Sequence, residues 1–143
     1  MDSNESFKLE NQLCFPLYAA SRLVTKCYQP VLDELGITYP QYLVLMVLWE
    51  TDAVNLSLLA GKLKLQSNTL TPLLKRMEEL GLLSRVRSQT DERSIVITLT
   101  EKGKELKSEV PRLQRQLSHH IGISMDEAIQ LRALLTKLIS SID

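Results

Sequence analysis

Apolar residues recur at helical spacing along much of the chain. Leu9, Leu13, Leu17, Ala20 and Val24 fall three and four apart, which predicts a helix from about Leu9 to Cys27. Pro16 lies inside it. Proline lacks a backbone donor and clashes with the preceding turn, but a first turn tolerates it. Either the helix kinks near Pro16, or its regular part starts close to Cys14. Pro30 marks a second break, and Gly36 ends the short helical turn Val31 to Leu35. Thr38-Tyr-Pro-Gln41 has the form of a capped helix start. The helix it opens runs to about Trp49 and is apolar nearly all round, so it is expected at the centre. Asn55 can cap a short helix, Leu56 to about Lys64. Ser67 or Asn68 can cap the next, which runs to Leu80 and stops at Gly81.

After Gly81 the period changes from helical to alternating. Leu83 to Arg87 and Ser94 to Leu99 alternate, with Ile95, Ile97 and Leu99 on one face. Joined by the polar linker Ser88-Gln-Thr-Asp-Glu92, they predict a two-stranded antiparallel ribbon with a mobile tip. A long polar helix follows, about Glu101 to His120, with a bend expected at Pro111. Ser124-Met-Asp-Glu127 is a capping box. It opens a last helix with Leu131, Leu134, Leu135, Leu138 and Ile142 on one stripe.

A chain of 143 residues that is 44% hydrophobic and 24% charged suits one soluble domain with its own core. Its longest apolar run, Tyr42 to Trp49, is 8 residues, far short of a membrane span. The polar, acidic start gives no sign of a signal peptide, and two cysteines are too few for a disulfide framework. The expected setting is the cytoplasm, with reduced thiols. No metal-ligand spacing is present, and no cofactor is implied.

Formal net charge is zero, with 17 basic and 17 acidic residues, which argues against a nucleic-acid coat protein or a polybasic membrane binder. The distribution changes that picture. Cys27 to Gly61 holds 4 acids (Asp33, Glu34, Glu50, Asp52) and no base. Lys62 to Arg87 holds 6 bases (Lys62, Lys64, Lys75, Arg76, Arg85, Arg87) against 2 acids (Glu78, Glu79). Alone, such a run is an ordinary solvated face.

The element order decides what the basic stretch is for. Two short helices, a tight turn and a β-hairpin describe a winged helix-turn-helix, whose second helix enters the major groove N-terminus first. That helix begins Ser67-Asn68-Thr69-Leu70-Thr71-Pro72, with Lys75 and Arg76 a turn on. Small hydroxyl and amide groups suit base edges, and the bases behind them suit phosphate. Arg85, Arg87 and Arg93 on the ribbon suit a minor groove or its backbone. The fold class is therefore mainly α with a small antiparallel β-wing.

Asp91-Glu-Arg93, then Leu99-Thr100 and Gly103, resembles the wing signature D-x-R, L-T-x-x-G of the MarR family. The likeness extends over nearly the whole chain in helix order. It implies a single MarR-type domain, 1–143, that binds a palindromic DNA operator as a homodimer. Residues of about 37–100 would form the winged helix-turn-helix, and about 7–36 and 101–142 the dimerisation helices. It also implies that Arg93 reaches the minor groove and that Asp91 orients it.

Leu9-Glu-Asn-Gln-Leu-Cys14-Phe, Tyr18, Thr38-Tyr39-Pro-Gln and Thr69-Leu-Thr-Pro-Leu-Leu-Lys-Arg76 resemble one branch of that family, the organic hydroperoxide resistance regulators (OhrR-like). This resemblance implies that Cys14 is oxidised by organic hydroperoxide and then joined to a low-molecular-weight thiol. Tyr28 and Tyr39 would approach it from the other subunit, with Tyr18 near the same pocket. Independently of the resemblance, Cys14 and Tyr18 are four apart and share a helix face, and a phenol can donate a hydrogen bond to a thiolate. The plain alternative for Cys14 is an inert buried packing residue. Cys27 reads as a packing residue, because 13 residues of continuous helix put it roughly 20 Å from Cys14, beyond disulfide reach. Asn68 and Gln66 depart from the glycine and aspartate common in the branch, so the operator does not carry over.

The expected function is a repressor that releases its operator on Cys14 oxidation. The alternatives are a MarR-type repressor released by a non-covalent aromatic or phenolic ligand, a thiol peroxidase, and a winged helix that binds protein rather than DNA.

Overall fold

The computed structural model describes residues 3–90 and 94–143. Asp91 and Arg93, and the tip of the expected ribbon, lie outside the described residues. A short helix α1 (Ser3–Ser6) and a 3-10 turn (Leu9–Asn11) precede α2 (Cys14–Cys27). Pro16 falls in the first turn of α2, where a backbone N–H has no intrahelical acceptor, so the regular helix begins at Cys14 and does not kink. Helix α3 (Gln29–Leu35) carries Pro30 in its first turn and ends at Gly36, which takes the left-handed φ of 72° that glycine adopts without a Cβ clash.

Helix α4 (Tyr39–Glu50) starts with the full capping box. Gln41 N donates to Thr38 Oγ1, and Thr38 N donates to Gln41 Oε1. It buries Tyr42, Val44, Leu45 and Leu48, as its all-round apolar sequence requires. Asn55 caps α5 (Leu56–Leu63), accepting from Leu58 N at 2.8 Å. Helix α6 (Ser67–Glu79) turns Leu70, Leu74 and Met77 inward, each fully buried at helical spacing. Each such side chain contributes about 1.5–3 kcal/mol of burial.

The expected two-stranded ribbon is a three-stranded sheet. β1 (Val54–Asn55) joins β2 (Leu83–Arg87) and β3 (Ile95–Leu99) in the order β1-β3-β2, all antiparallel. β1 pairs Val54 with Ile97 and Asn55 with Val96. A two-residue strand has no alternation to detect, and tertiary pairing alone makes it one. Asp52 helps hold it there, accepting from Ala53 N at 2.8 Å and from Leu99 N at 2.9 Å.

The long helix expected from Glu101 to His120 is broken into α7 (Glu101–Glu105), a 3-10 turn (Leu106–Glu109) and α8 (Val110–Ser118). Pro111 offers no N–H to the preceding turn, so the backbone tightens before it and a new helix starts. Leu113 of α8 and Val31 and Leu32 of α3 belong to the same buried cluster as the helix-turn-helix. Helix α9 (Met125–Ile142) opens on the expected capping box, with Ser124 and Glu127 bonded reciprocally. Neither α2 nor α9 buries a single residue within the chain. Among the described residues, no single helix is long and apolar enough to cross a membrane.

Candidate DNA-reading face and thiol site

Burial of Leu70, Leu74 and Met77 fixes which side of α6 faces solvent. Ser67, Asn68, Thr69, Thr71, Pro72, Lys75 and Arg76 are all exposed. The capping expectation fails here: the N-cap is Gln66, and its side chain makes no capping bond. Ser67 and Asn68 are instead the first two helical residues. Their backbone N–H groups and side chains open outward, as an anion-binding helix end requires. Thr71 Oγ1 donates to Ser67 O at 2.8 Å. Pro72 lies inside the helix, so the carbonyl of Asn68 receives no helical N–H.

On the ribbon, Leu83, Arg85 and Arg87 share one strand face, grading from buried to half-buried to exposed. Arg85 is therefore not a groove-reaching base as expected. Its guanidinium pairs with Glu78 of α6, Nη2 to Oε1 at 3.2 Å, and its backbone N–H donates to Glu78 Oε2 at 3.0 Å. Lys64, in the turn between α5 and α6, pairs with Asp143 beyond the end of α9. Lys64 and Arg85, two of the bases counted between Lys62 and Arg87, thus pair with acids of the same chain. Lys75, Arg76 and Arg87 stand exposed on the helix and ribbon.

The thiol site is divided. Cys14 is the first residue of α2 and is exposed, which removes the reading of it as a buried packing residue within the chain. Tyr18 lies one turn on and is 63% exposed. Arg22, another turn on, sets its guanidinium carbon 4.4 Å from the Tyr18 ring centroid. Arg22 completes an i, i+4, i+8 row that the sequence reading stopped short of. At this end of α2, Leu13 and Phe15 are exposed apolar groups.

Tyr28 and Tyr39 meet at the other end of α2. Their rings stack at 5.5 Å, and Tyr42 touches both, at 5.9 and 6.1 Å. Tyr42 in turn meets Trp49 edge-on at 6.1 Å. The sequence reading missed Tyr42 and Trp49; their positions i+3 and i+10 from Tyr39 on one helix were the available signal. Burial, then the neighbouring Tyr39, Tyr42 and Cys27, pushes the Tyr28 phenol up to about 12. Burial raises Tyr39, and burial with Tyr39 raises Tyr42. These phenols stay protonated and can act as donors. With about 20 Å of helix between Cys14 and Cys27, the tyrosine cluster and Cys14 do not meet within one subunit. Cys27 is half-buried and donates its thiol to Leu23 O at 3.3 Å.

Among the described residues, no group of His, Cys, Asp and Glu could hold a metal ion. A winged helix-turn-helix with an exposed, basic second helix and ribbon is the architecture of a DNA-binding transcriptional regulator. The family model described as transcriptional regulator SarA/Rot matches residues 26–110. The organic hydroperoxide resistance transcriptional regulator of Bacillus subtilis (strain 168) is 48% identical over 134 residues, which is 94% of this chain and 89% of that protein. Among solved structures, reduced AbfR bound to DNA superposes with a TM-score of 0.82 at 37% identity, covering 99% of this chain and 96% of that one. Disulfide-formed AbfR superposes with a TM-score of 0.63 at 37% identity, over 97% and 92%. The chain belongs to the MarR family of winged-helix regulators, in the branch of OhrR- and AbfR-type redox-sensing proteins. It is a transcriptional regulator rather than a thiol peroxidase.

Proposed function

We propose that the chain is a homodimeric repressor that leaves a palindromic operator when organic hydroperoxide oxidises Cys14. The carrying observation is the exposed Cys14 at the first turn of α2, with Tyr18 one turn away and apolar Leu13 and Phe15 beside it. The similarity to a hydroperoxide resistance regulator supports the oxidant class. The Cys14 thiolate attacks a peroxide oxygen, the O–O bond breaks, and the alkoxide takes a proton and leaves as alcohol. The sulfenic acid then condenses with a low-molecular-weight thiol, forming a mixed disulfide and releasing water. Tyr28 and Tyr39 act on Cys14 from the partner subunit.

The dimer rests on the unpartnered helices α2 and α9. Leu134 is 66% exposed and Leu23 64%, too much apolar surface on too regular a face to remain wet. Residues of about 7–36 and 101–142 supply the pairing, and about 37–100 the reading head. The reading residues are Ser67, Asn68, Thr69, Thr71, Pro72, Lys75, Arg76 and Arg87, together with Asp91 and Arg93 of the sequence between β2 and β3. The fold superposes better on the reduced, DNA-bound relative than on its disulfide form. Oxidation shifts the spacing of the two reading helices, and loss of phosphate contacts lowers affinity steeply.

The test is DNA binding by wild type and Cys14→Ser, with and without an organic hydroperoxide. Wild type is expected to release DNA and Cys14→Ser to stay bound; release of the mutant by peroxide would sink the reading. One observation favours a second reading, release by a non-covalent aromatic ligand. An open surface depression of about 470 Å³ is lined by Met46, Trp49, Glu50, Lys107, Val110 and Pro111. Release by such a ligand alone, unchanged in Cys14→Ser, would favour it.

A further inference from the structure

The acids within the basic stretch look like a loss to DNA binding, since each subtracts from the positive field. Glu78 has another use. Its carboxylate bridges the reading helix and the wing with both oxygens, taking the backbone N–H of Arg85 at 3.0 Å and the guanidinium at 3.2 Å. Both side chains are only partly exposed, Arg85 at 24% and Glu78 at 39%. The Arg85 Nε is buried without a hydrogen-bond partner, so the guanidinium is held where the carboxylate draws it and not where all its donors are satisfied. The Arg85 N–H, then its guanidinium, holds the Glu78 carboxyl below its usual range, so the bridge is ionised at neutral pH.

The corner between α6 and β2 has other ties at its base. Gly81 takes a φ of 76°, Thr100 Oγ1 donates to Gly81 O at 2.6 Å, and Lys102 Nζ donates to Leu80 O at 3.0 Å. The Glu78 bridge reaches farther up β2 than these. Arg87 follows Arg85 by two residues and stands on the same strand face, one step toward the tip. The tilt of the wing at Arg85 therefore sets where Arg87 arrives.

We infer that Glu78 is a positioning residue for DNA recognition: through Arg85 it fixes the wing against α6, so that wing and reading helix engage adjacent grooves together. It touches no DNA itself. The inference rests on the DNA-binding reading and is independent of peroxide sensing.

The experiment uses full-length reduced protein and a duplex selected from random sequence by the wild-type dimer. Affinity is measured by titration, and groove contacts by hydroxyl-radical footprinting. Removing a bystander acid from a DNA-facing surface tightens binding. A lost positioning bridge does the opposite. Glu78→Ala is expected to bind roughly tenfold more weakly. Protection should be lost at the outer flanks, where the wings lie, and kept at the centre of each half-site. Glu78→Gln, which retains an acceptor for the Arg85 N–H, is expected to lose less on both measures. Binding by Glu78→Ala as tight as wild type or tighter, with flank protection intact, overturns the inference. If Glu78→Ala does not fold, Glu78→Gln decides: weaker flank protection supports the inference and unchanged protection overturns it. Failure of wild type to select any duplex would overturn the DNA-binding reading instead.

Discussion

The indole Nε1–H of Trp49 donates to the carbonyl oxygen of Gly103 at 2.9 Å, joining residues 54 apart in sequence. Trp49 lies in the last turn of the central helix α4 and also meets Tyr42 of the aromatic cluster, while Gly103 lies in α7 just past the wing. One side chain thus connects the tyrosine cluster to the foot of the DNA-reading ribbon.

Gly103 is required by space and not by dihedral freedom. A Cβ there would lie 2.1 Å from the backbone oxygen of Leu82 and 3.0 Å from Leu99 Cδ2. The Leu82 carbonyl also accepts from Thr100 N at 3.1 Å and cannot move without breaking that bond. Gly103→Ala is expected to cost about 1–3 kcal/mol. Urea unfolding, followed by the fluorescence of the only tryptophan, should show a lowered midpoint with an unchanged slope.

The tyrosine cluster predicts a loss of stability in alkali. Tyr28 ionises near 10 when unfolded and is raised to about 12 in the fold. Its contribution is complete below pH 10. Between about 10 and 12 the unfolded chain releases the proton while the folded chain keeps it, so stability falls as pH rises. The urea midpoint should be level approaching pH 10 and decline above it, and the decline should be shallower in Tyr28→Phe. An equally steep decline in that variant would show that the cluster is not responsible.

Leu134 tests the dimer without disturbing the chain's own core, because it is exposed on α9. Leu134→Glu is expected to remain folded by circular dichroism, to sediment as a monomer, and to lose operator affinity by more than tenfold, since two half-sites are no longer bound together. A dimeric Leu134→Glu would remove α9 from the interface.

Lys75 and Asn68 should separate affinity from sequence reading. Both are exposed on the same face of α6. Lys75→Ala is expected to weaken binding to all duplexes alike and to reduce the magnitude of the salt slope by about 1 per subunit. Asn68→Ala should keep the slope and narrow the gap between operator and random duplex, by about 1–3 kcal/mol per lost base contact. Competition titrations at several salt concentrations read both.

Local rules were enough wherever a short stretch of chain decides its own conformation. The capping boxes at Thr38 and Ser124, the stop at Gly36 and the alternating strands were legible, because each depends on neighbours within a turn or a strand, whereas Pro16 left both a kink and a later start of α2 open until the structure began the helix at Cys14. The exposure of the expected DNA-facing residues on α6 follows from the inward turn of Leu70, Leu74 and Met77, a period the sequence also carries but that was not read from it. The family likeness at Cys14 and the wing was legible too, in short exact runs of residues. What the tertiary structure decided are long-range pairings. Val54 and Asn55 become a strand only because β3 lies beside them. Arg85 turns from a DNA-facing base into the partner of Glu78, Glu34 is taken by Arg112, and Lys64 by Asp143. A charge count by segment cannot see such pairs, since Coulombic and hydrogen-bonded partners are chosen by distance in space and not along the chain. The same holds for the thiol: the sequence by itself supplied Cys14 and Tyr18 as helix neighbours, and only the folded chain set Tyr28, Tyr39, Tyr42 and Trp49 into one cluster a helix length away.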